Sequence, residues 1–234
     1  MQASNDDVVP PVTSSYKPGP GVARAMTPEE FTEAVREANR TALSRLGSSK
    51  SLYADTMGDM DTDAVLGAAA DAEHHAAETY AAWAESESDS AVAEAFETTA
   101  DEERAHYETV AGELDGHEPG DDPPAIQEYL RSLDATVERL GGFVGRTLAA
   151  DESKGQMTGF FVGQADTGTA QTFRDMGDDL DAQLERALDL LAERCESEED
   201  WESAQEAASG AIQAAYEEYT ERLEGMGVNP KPVC

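Results

Sequence analysis

The sequence predicts an all-α protein, a four-helix bundle with additional helices at its N- and C-terminal ends. Apolar residues recur at intervals of three and four over most of the chain, which places them on one face of a helix. No segment of useful length alternates apolar and polar residues, so no β-strand is expected. The intervals between the helical stretches carry Gly, Pro or clustered acidic residues, which end helices and form turns.

Capping and breaking signals set the limits of each helix. The first helix begins at Thr27-Pro28, where threonine caps the N-terminus and proline fits the first turn. Gly141 and Gly142 are expected to interrupt the chain between two later helices. The predicted helices cover residues 28–46, 63–86, 90–114, 125–140, 143–165, 170–195 and 199–224.

These helices are expected to form a single domain, residues 27–225, with its core bundle at 63–195. Residues 1–26 contain four prolines and are predicted to be a disordered arm, and residues 226–234 to be coil. The linker at 117–124, HEPGDDPP, separates the two halves of the bundle.

A repeated glycine marks the helix predicted at 143–165. Gly155, Gly159 and Gly163 recur every four residues, although each costs a helix about 1 kcal/mol relative to alanine. We interpret them as a ridge that lets a neighbouring helix approach closely. A break in the helix is the alternative.

The charge of the chain is strongly unbalanced, with 50 acidic against 16 basic residues and a net charge of −34. The acidic residues are spread over every segment. This composition resembles that of proteins from halophilic archaea, whose surface charges are screened within about 3 Å at molar salt. No basic stripe is present, so direct binding to nucleic acid is not expected.

Other features indicate a cytoplasmic protein. No apolar run approaches the roughly 18 residues that suggest a membrane span, and the N-terminal residues lack the basic and apolar regions of a secretory signal. The two cysteines, Cys195 and Cys234, do not form a disulfide framework. Without a C-x-x-C motif, a rubredoxin-type iron site is excluded on this chain.

Three residues have the spacing of a carboxylate-bridged metal site. Glu73 and Glu103 are equally distant from Ser88, in the short turn between two predicted helices. An antiparallel hairpin would therefore place them at one depth on facing helices. His106 follows Glu103 by three residues and lies on the same face. This is half of the Glu plus Glu-x-x-His pattern of di-iron helix bundles.

This half resembles the rubrerythrin branch of the ferritin-like superfamily. The resemblance rests on Glu73 followed seven residues later by Tyr80, then Phe96, then the segment 102–106, EERAH. It implies a ferritin-like bundle in which Glu73, Glu103 and His106 are iron ligands, with Glu103 as a bridge. It further implies iron oxidation or peroxide reduction, with a hydrogen bond from Tyr80 supporting the ligands.

The second half of this pattern is incomplete. Glu152 is the expected ligand, and a turn centred between Asp166 and Thr169 would place Gln183 opposite it. Arg186 stands where the second histidine is wanted, and no histidine follows the linker. Asp179 or Asp181 is expected to assist if a depleted site survives.

Three arrangements remain open. Glu73, Glu103, His106 and Glu152 would bind one or two metal ions, with iron expected and manganese an alternative. Two chains would instead join their intact halves as a homodimer. Otherwise the metal is lost altogether.

The function follows from which arrangement holds. The first two predict an oxidoreductase that receives electrons from another protein. The third predicts an interaction or regulatory protein, with transcription as one setting. The continuous aliphatic face of the helix at 170–195 favours the third, because an iron site needs inward polar groups there.

Overall fold

Nine α-helices make up the part of the chain that the computed structural model describes, residues 26–231, and no strand occurs in this part. The all-α prediction is therefore confirmed. In chain order the helices are α1 (Pro28–Ala38), α2 (Arg40–Leu46), α3 (Ser49–Asp55), α4 (Thr62–Ser86), α5 (Ser90–Ala111), α6 (Ala125–Arg131), α7 (Thr136–Gly163), α8 (Thr167–Arg194) and α9 (Glu198–Gly225).

Two hairpins form the central bundle, α4 with α5 and α7 with α8, and α5 also packs on α8. A second layer covers this bundle: α9 packs along α7, α6 connects α4 with α9, and the short helices α1 to α3 fill the remaining edge. Helix α7 therefore belongs to the bundle on one side and touches the second layer on the other.

Side-chain caps account for most of the helix starts. Thr27 forms a capping box with Glu30, and Asp61, Asp89 and Asp166 accept hydrogen bonds from the first backbone amides of α4, α5 and α8. Such caps satisfy amide groups that have no partner inside the helix. The predicted turn at Ser88 lies midway between Ser86, which ends α4, and Ser90, which begins α5.

The predicted helix boundaries fail in three places. The helix expected at 28–46 is divided at Asn39, whose side-chain amide donates to Val35 O and to Ser209 Oγ. The loop expected after residue 46 contains α3. The helix expected at 125–140 is wrong, because α6 ends at Arg131 and α7 runs without a break through Gly141 and Gly142.

The close helix approach occurs at other glycines than those predicted. A Cβ atom added at Gly155, Gly159 or Gly163 would meet nothing within 4 Å among the described residues. A Cβ atom added at Gly141 or Gly145 would lie 2.2 Å from the carbonyl oxygen of Ala204 or Ala208 on α9. The prediction of a ridge at 155–163 is therefore wrong, and the glycines that admit α9 lie about three and four turns before Gly155.

The two ends of the chain lie partly outside the described residues. The predicted arm at 1–26 lies outside the described residues except for Met26, as do residues 232–234, whereas residues 226–231 are non-helical. Among the described helices, none combines the length and apolar character needed to cross a membrane.

Candidate functional site

The structure brings Glu73, Glu103 and His106 together between two apolar clusters of the bundle core. Their exposed fractions are 1%, 0% and 6%, and one ligand atom from each lies within 4.8 Å of the others. His106 Nδ1 is 3.9 Å from Glu73 Oε2 and 3.9 Å from Glu103 Oε2. The hairpin register inferred from the turn at Ser88 is confirmed by this convergence.

An arginine from α7 binds the carboxylate of Glu103. Arg146 is buried, and its Nη1 and Nη2 atoms donate to Glu103 Oε1 and Oε2 at 2.7 and 2.8 Å. This paired geometry is the strongest that arginine makes with a carboxylate. Arg146 Nη2 also lies 3.8 Å from Glu73 Oε2. Both oxygens of Glu103 are therefore already occupied by one guanidinium group.

A lysine two turns further along α7 binds the carboxylate of Glu73. Lys154 is buried and donates from Nζ to Glu73 Oε1. Two carboxylates and two fixed cations thus form a buried set with no net charge. We call Glu73, Glu103, Arg146 and Lys154 the ion-pair network. Sequence reasoning missed both cations.

The structure places Glu152 away from this network. It is partly exposed, and its carboxylate lies beside Gly47, so that a Cβ atom on Gly47 would meet it. Among the described residues, the group whose ligand atoms converge with Glu73 contains only Glu103 and His106. The expectation that Glu152 joins these ligands is therefore not met.

The reason is the register of the second hairpin. Helix α7 ends at Gly163 and α8 begins at Thr167, so the turn is centred near residue 165 rather than between Asp166 and Thr169. This shift places Gln183 level with Arg146 instead of Glu152. Gln183 Nε2 donates to Glu103 Oε1 at 2.9 Å.

Two of the remaining residues on α8 also contact this region. Asp179 Oδ2 lies 2.9 Å from His106 Nε2, so of the two aspartates Asp179 contacts a predicted ligand, whereas Asp181 lines a groove against α1. Arg186 donates to both carboxylate oxygens of Glu102, at 2.7 and 3.1 Å, and to Thr99 Oγ1. The adjacent carboxylates of α5 therefore each bind an arginine, one from α7 and one from α8.

Tyr80 contacts the network through its ring. The guanidinium carbon of Arg146 lies 5.9 Å from the centre of the Tyr80 ring. The Tyr80 hydroxyl is buried and has no hydrogen-bond partner among the described residues. The predicted hydrogen bond from Tyr80 to the ligands is thus replaced by a cation–π contact with the missed arginine.

The network divides its charges unequally. Burial acts to raise the pKa of Glu73, but Lys154 and hydrogen bonds from its neighbours outweigh burial and hold this pKa well below its usual range. Burial, together with the charge of Glu73, raises the pKa of Glu103 in spite of Arg146. Burial and the neighbouring charges thus move the two pKa values in opposite directions.

A cavity of about 220 Å³ opens beside the network, between the bundle and the second layer. Glu73, Arg146 and Lys154 form part of its wall, and His75 and Gln127 form another part. Both ring nitrogens of His75, Oε1 of Gln127 and Oε2 of Glu73 are buried and have no hydrogen-bond partner among the described residues. Polar atoms of this kind are normally satisfied by water or by a ligand.

No protein-family model, curated protein or solved structure matches the chain. The geometry described above therefore carries the functional argument.

Proposed function

We propose that the protein is a ferritin-like helical bundle in which fixed cations replace the metal centre, and that it serves as a non-enzymatic binding protein with a regulatory role. The paired hydrogen bonds of Arg146 to both oxygens of Glu103 are the observation that carries this proposal. Lys154 likewise donates a hydrogen bond to one oxygen of Glu73. The two carboxylates that would bridge metal ions are thereby neutralised within the fold.

The residues present do not fit a pair of metal ions. Arg146 and Gln183 lie where the second half of the site requires carboxylates, and both contact Glu103. A divalent ion about 4 Å from a guanidinium group would experience a repulsion of about 8 kcal/mol at an effective dielectric constant near 20. A carboxylate held by that guanidinium is also a poor ligand, because binding the ion would break two charge-assisted hydrogen bonds.

The cavity is where such a binding protein would hold its ligand. The unpartnered buried oxygens, Gln127 Oε1 and Glu73 Oε2, are acceptors and require hydrogen-bond donors. Asp55 and Glu218 also lie in the wall but pair with Arg222, whereas Asp71 and Asp122 add two acidic groups beyond these pairs. We therefore expect a small organic cation that carries N–H groups.

The test compares iron uptake by the natural chain and by a rebuilt variant. Arg146→Glu, Gln183→Glu and Arg186→His together would restore a second set of Glu plus Glu-x-x-His. We expect no stoichiometric iron at the network in the natural chain and about two iron ions in the rebuilt variant. Iron would be offered without oxygen and measured by elemental analysis. Arg174→Glu, which makes the same exchange as Arg146→Glu at an exposed position of α8, is the control and should gain none.

A second function is favoured by one specific observation. Glu73 Oε2 and His106 Nδ1 are buried without hydrogen-bond partners among the described residues, and His106 Nδ1 lies 3.9 Å from both Glu73 Oε2 and Glu103 Oε2. These three atoms would suit a single iron or manganese ion, and the protein would then be an oxidoreductase supplied with electrons by another protein. One iron per chain in the natural protein, lost in His106→Gln, would support this function and contradict the first.

A further inference from the structure

A second group of potential ligands lies on α4, outside the ion-pair network. His74 and His75 are adjacent, and Glu78 follows one turn later. His74 Nε2 is 3.6 Å from Glu78 Oε1, and His75 Nδ1 is 3.7 Å from Glu78 Oε2. One ligand atom from each residue lies within 4.8 Å of the other two.

His75 provides an independent indication that this group binds something. It is only 3% exposed, yet neither of its ring nitrogens has a hydrogen-bond partner among the described residues. A buried polar group left unsatisfied costs about 1–3 kcal/mol. A metal ion on Nδ1 would satisfy one nitrogen. The ring also lines the cavity.

The kinds of ligand atoms select the kind of ion. Two imidazoles and one carboxylate suit divalent d-block ions such as Zn²⁺, whereas Mg²⁺ and Ca²⁺ prefer oxygen ligands. Tetrahedral Zn²⁺ with bonds near 2.1 Å requires ligand atoms about 3.4 Å apart. The separations of 3.6 and 3.7 Å, each to a different oxygen of Glu78, lie close to this value. The ligand atoms of the two imidazoles lie within 4.8 Å of each other, so binding would draw the three side chains together around the ion.

The exposure of the group leaves room for a further ligand. The side chains of His74 and Glu78 are 32% and 53% exposed, so solvent reaches the site from one side. We propose that His74, His75 and Glu78 bind one Zn²⁺ ion or a similar divalent d-block ion, with the remaining position open to water. This inference does not rest on the proposed function, although His75 also lines the cavity of that proposal.

Arg131 is the positive group that faces this site. Its Nη2 atom lies 3.3 Å from Glu78 Oε2 and 3.3 Å from the His75 carbonyl oxygen, and its Nε donates to Thr79 Oγ1. The bonds to Thr79 and to the His75 carbonyl can hold Arg131 in place while Glu78 turns its other oxygen to the ion. Its charge nevertheless opposes the ion, so Arg131→Met should tighten binding by about tenfold.

The other nearby aromatic residues are not available as ligands. The Tyr107 ring lies between the rings of His74 and His117. His117 Nε2 is 3.0 Å from Asp71 Oδ1 and is held there. His117→Gln therefore removes a histidine from the same surface without touching the three proposed ligands, which makes it a matched control.

Calorimetric titration of the metal-free full chain with ZnCl₂ tests the proposal. About 1 M KCl would suppress weak binding to the acidic surface, because it shortens the Debye length to about 3 Å. We expect about one Zn²⁺ per chain in the natural protein, in His117→Gln and in His106→Gln. His74→Gln and Glu78→Gln, both at partly exposed positions, should each weaken binding about 100-fold or more. Circular dichroism would confirm that these variants fold.

Three results would overturn this assignment. The natural chain would take up no Zn²⁺, or His74→Gln and Glu78→Gln would bind it unchanged. Alternatively, His106→Gln alone would abolish binding, which would place the ion at Glu73 and Glu103. That last outcome would also contradict the metal-free network, whereas the first two would leave it standing.

Discussion

At the scale of single residues, the decisive feature is that two buried basic side chains bind the two carboxylates that were expected to be metal ligands. Arg146 and Lys154 neutralise Glu73 and Glu103. In a metal-binding bundle, metal ions neutralise the carboxylates at this place. Removing one partner of such a buried pair leaves an uncompensated charge and typically costs about 3–5 kcal/mol. The cations therefore make the buried carboxylates tolerable in the core.

His106 should make the stability of the fold depend on pH. Burial acts to lower its pKa, but Glu73, Asp179 and Glu103 outweigh burial and raise this pKa above 6.5. The folded chain then holds a proton that the unfolded chain releases near pH 6.5. The stabilisation that this proton gives to the fold is complete below pH 6.5, and it is lost as the pH rises through the higher pKa that His106 has in the folded chain. Urea unfolding at several pH values should show this decline.

The comparison with His106→Gln isolates this contribution. The variant should lack the decline above pH 6.5 that the natural chain shows. Asp55, whose pKa burial raises from 3.8 to about 6, also makes stability fall with rising pH, but mostly below this window. Equal slopes above pH 6.5 in both proteins would show that His106 is not charged in the fold.

At the scale of helices, the contact between α7 and α9 depends on missing side chains. Gly141 and Gly145 face the backbone of α9 at Ala204 and Ala208. Small residues on both helices allow their axes to approach closely, as in other small-residue helix pairs. The glycine positions, more than helix propensity, determine where the second layer sits.

Two alanine substitutions on α7 should therefore have opposite effects. Gly145→Ala places a Cβ atom 2.2 Å from the Ala208 carbonyl oxygen and should lower the free energy of unfolding by about 1–3 kcal/mol. Gly159→Ala meets nothing within 4 Å and should raise it by about 0.5–1 kcal/mol. Chemical denaturation measures both. A gain in stability from both substitutions would contradict the close contact.

The same two hairpins show how far the sequence predicts the site. The turn at 87–90 is marked by clustered polar residues, so the facing positions of Glu73 and Glu103 could be inferred. The turn between α7 and α8 is poorly marked: it includes Ala165 with a positive φ of 60°, which alanine seldom adopts. The predicted turn centre is therefore two to three residues too late, which shifts the positions of α7 that face α8 by about five residues.

The missed cations had a signal of their own. Arg146 lies in a run of buried apolar residues, between Val144 and Leu148. An isolated basic residue inside such a run requires a buried acidic partner. In a chain with only 16 basic residues this pattern could have indicated the ion pair. The partner itself could not be identified without the register of the two hairpins.

At the scale of the whole molecule, the net charge of −34 contrasts with the balanced charges of the buried ion-pair network. The network holds equal numbers of acidic and basic groups, so the excess of negative charge lies elsewhere. Asp71 and Asp122 bring part of it to the cavity. This charge raises the local concentration of small cations near the cavity wall. The molecule as a whole thus favours the ligand that the unpartnered oxygens require.

Small amines and amidines should raise the melting temperature of the natural chain, and carboxylates of matched size should not. A ligand present at 100 times its Kd would add about 2.7 kcal/mol to the free energy of unfolding. Gln127→Leu removes a buried acceptor and should reduce this gain, whereas Gln171→Leu, on the exposed face of α8, should not. Equal shifts with amines and carboxylates, or no shift at all, would argue against a cation-binding cavity.

Helix α7 connects these layers in a way that bears on how the protein opens. It presents Gly141 and Gly145 to α9 and, within the same two turns, Arg146 to Glu103. Detaching α9 would admit water beside the buried ions and weaken their attraction, while breaking the ion pairs would release the helix on which α9 rests. The two layers should therefore lose amide protection together, as a single cooperative unit rather than as an outer shell that frays from a stable core.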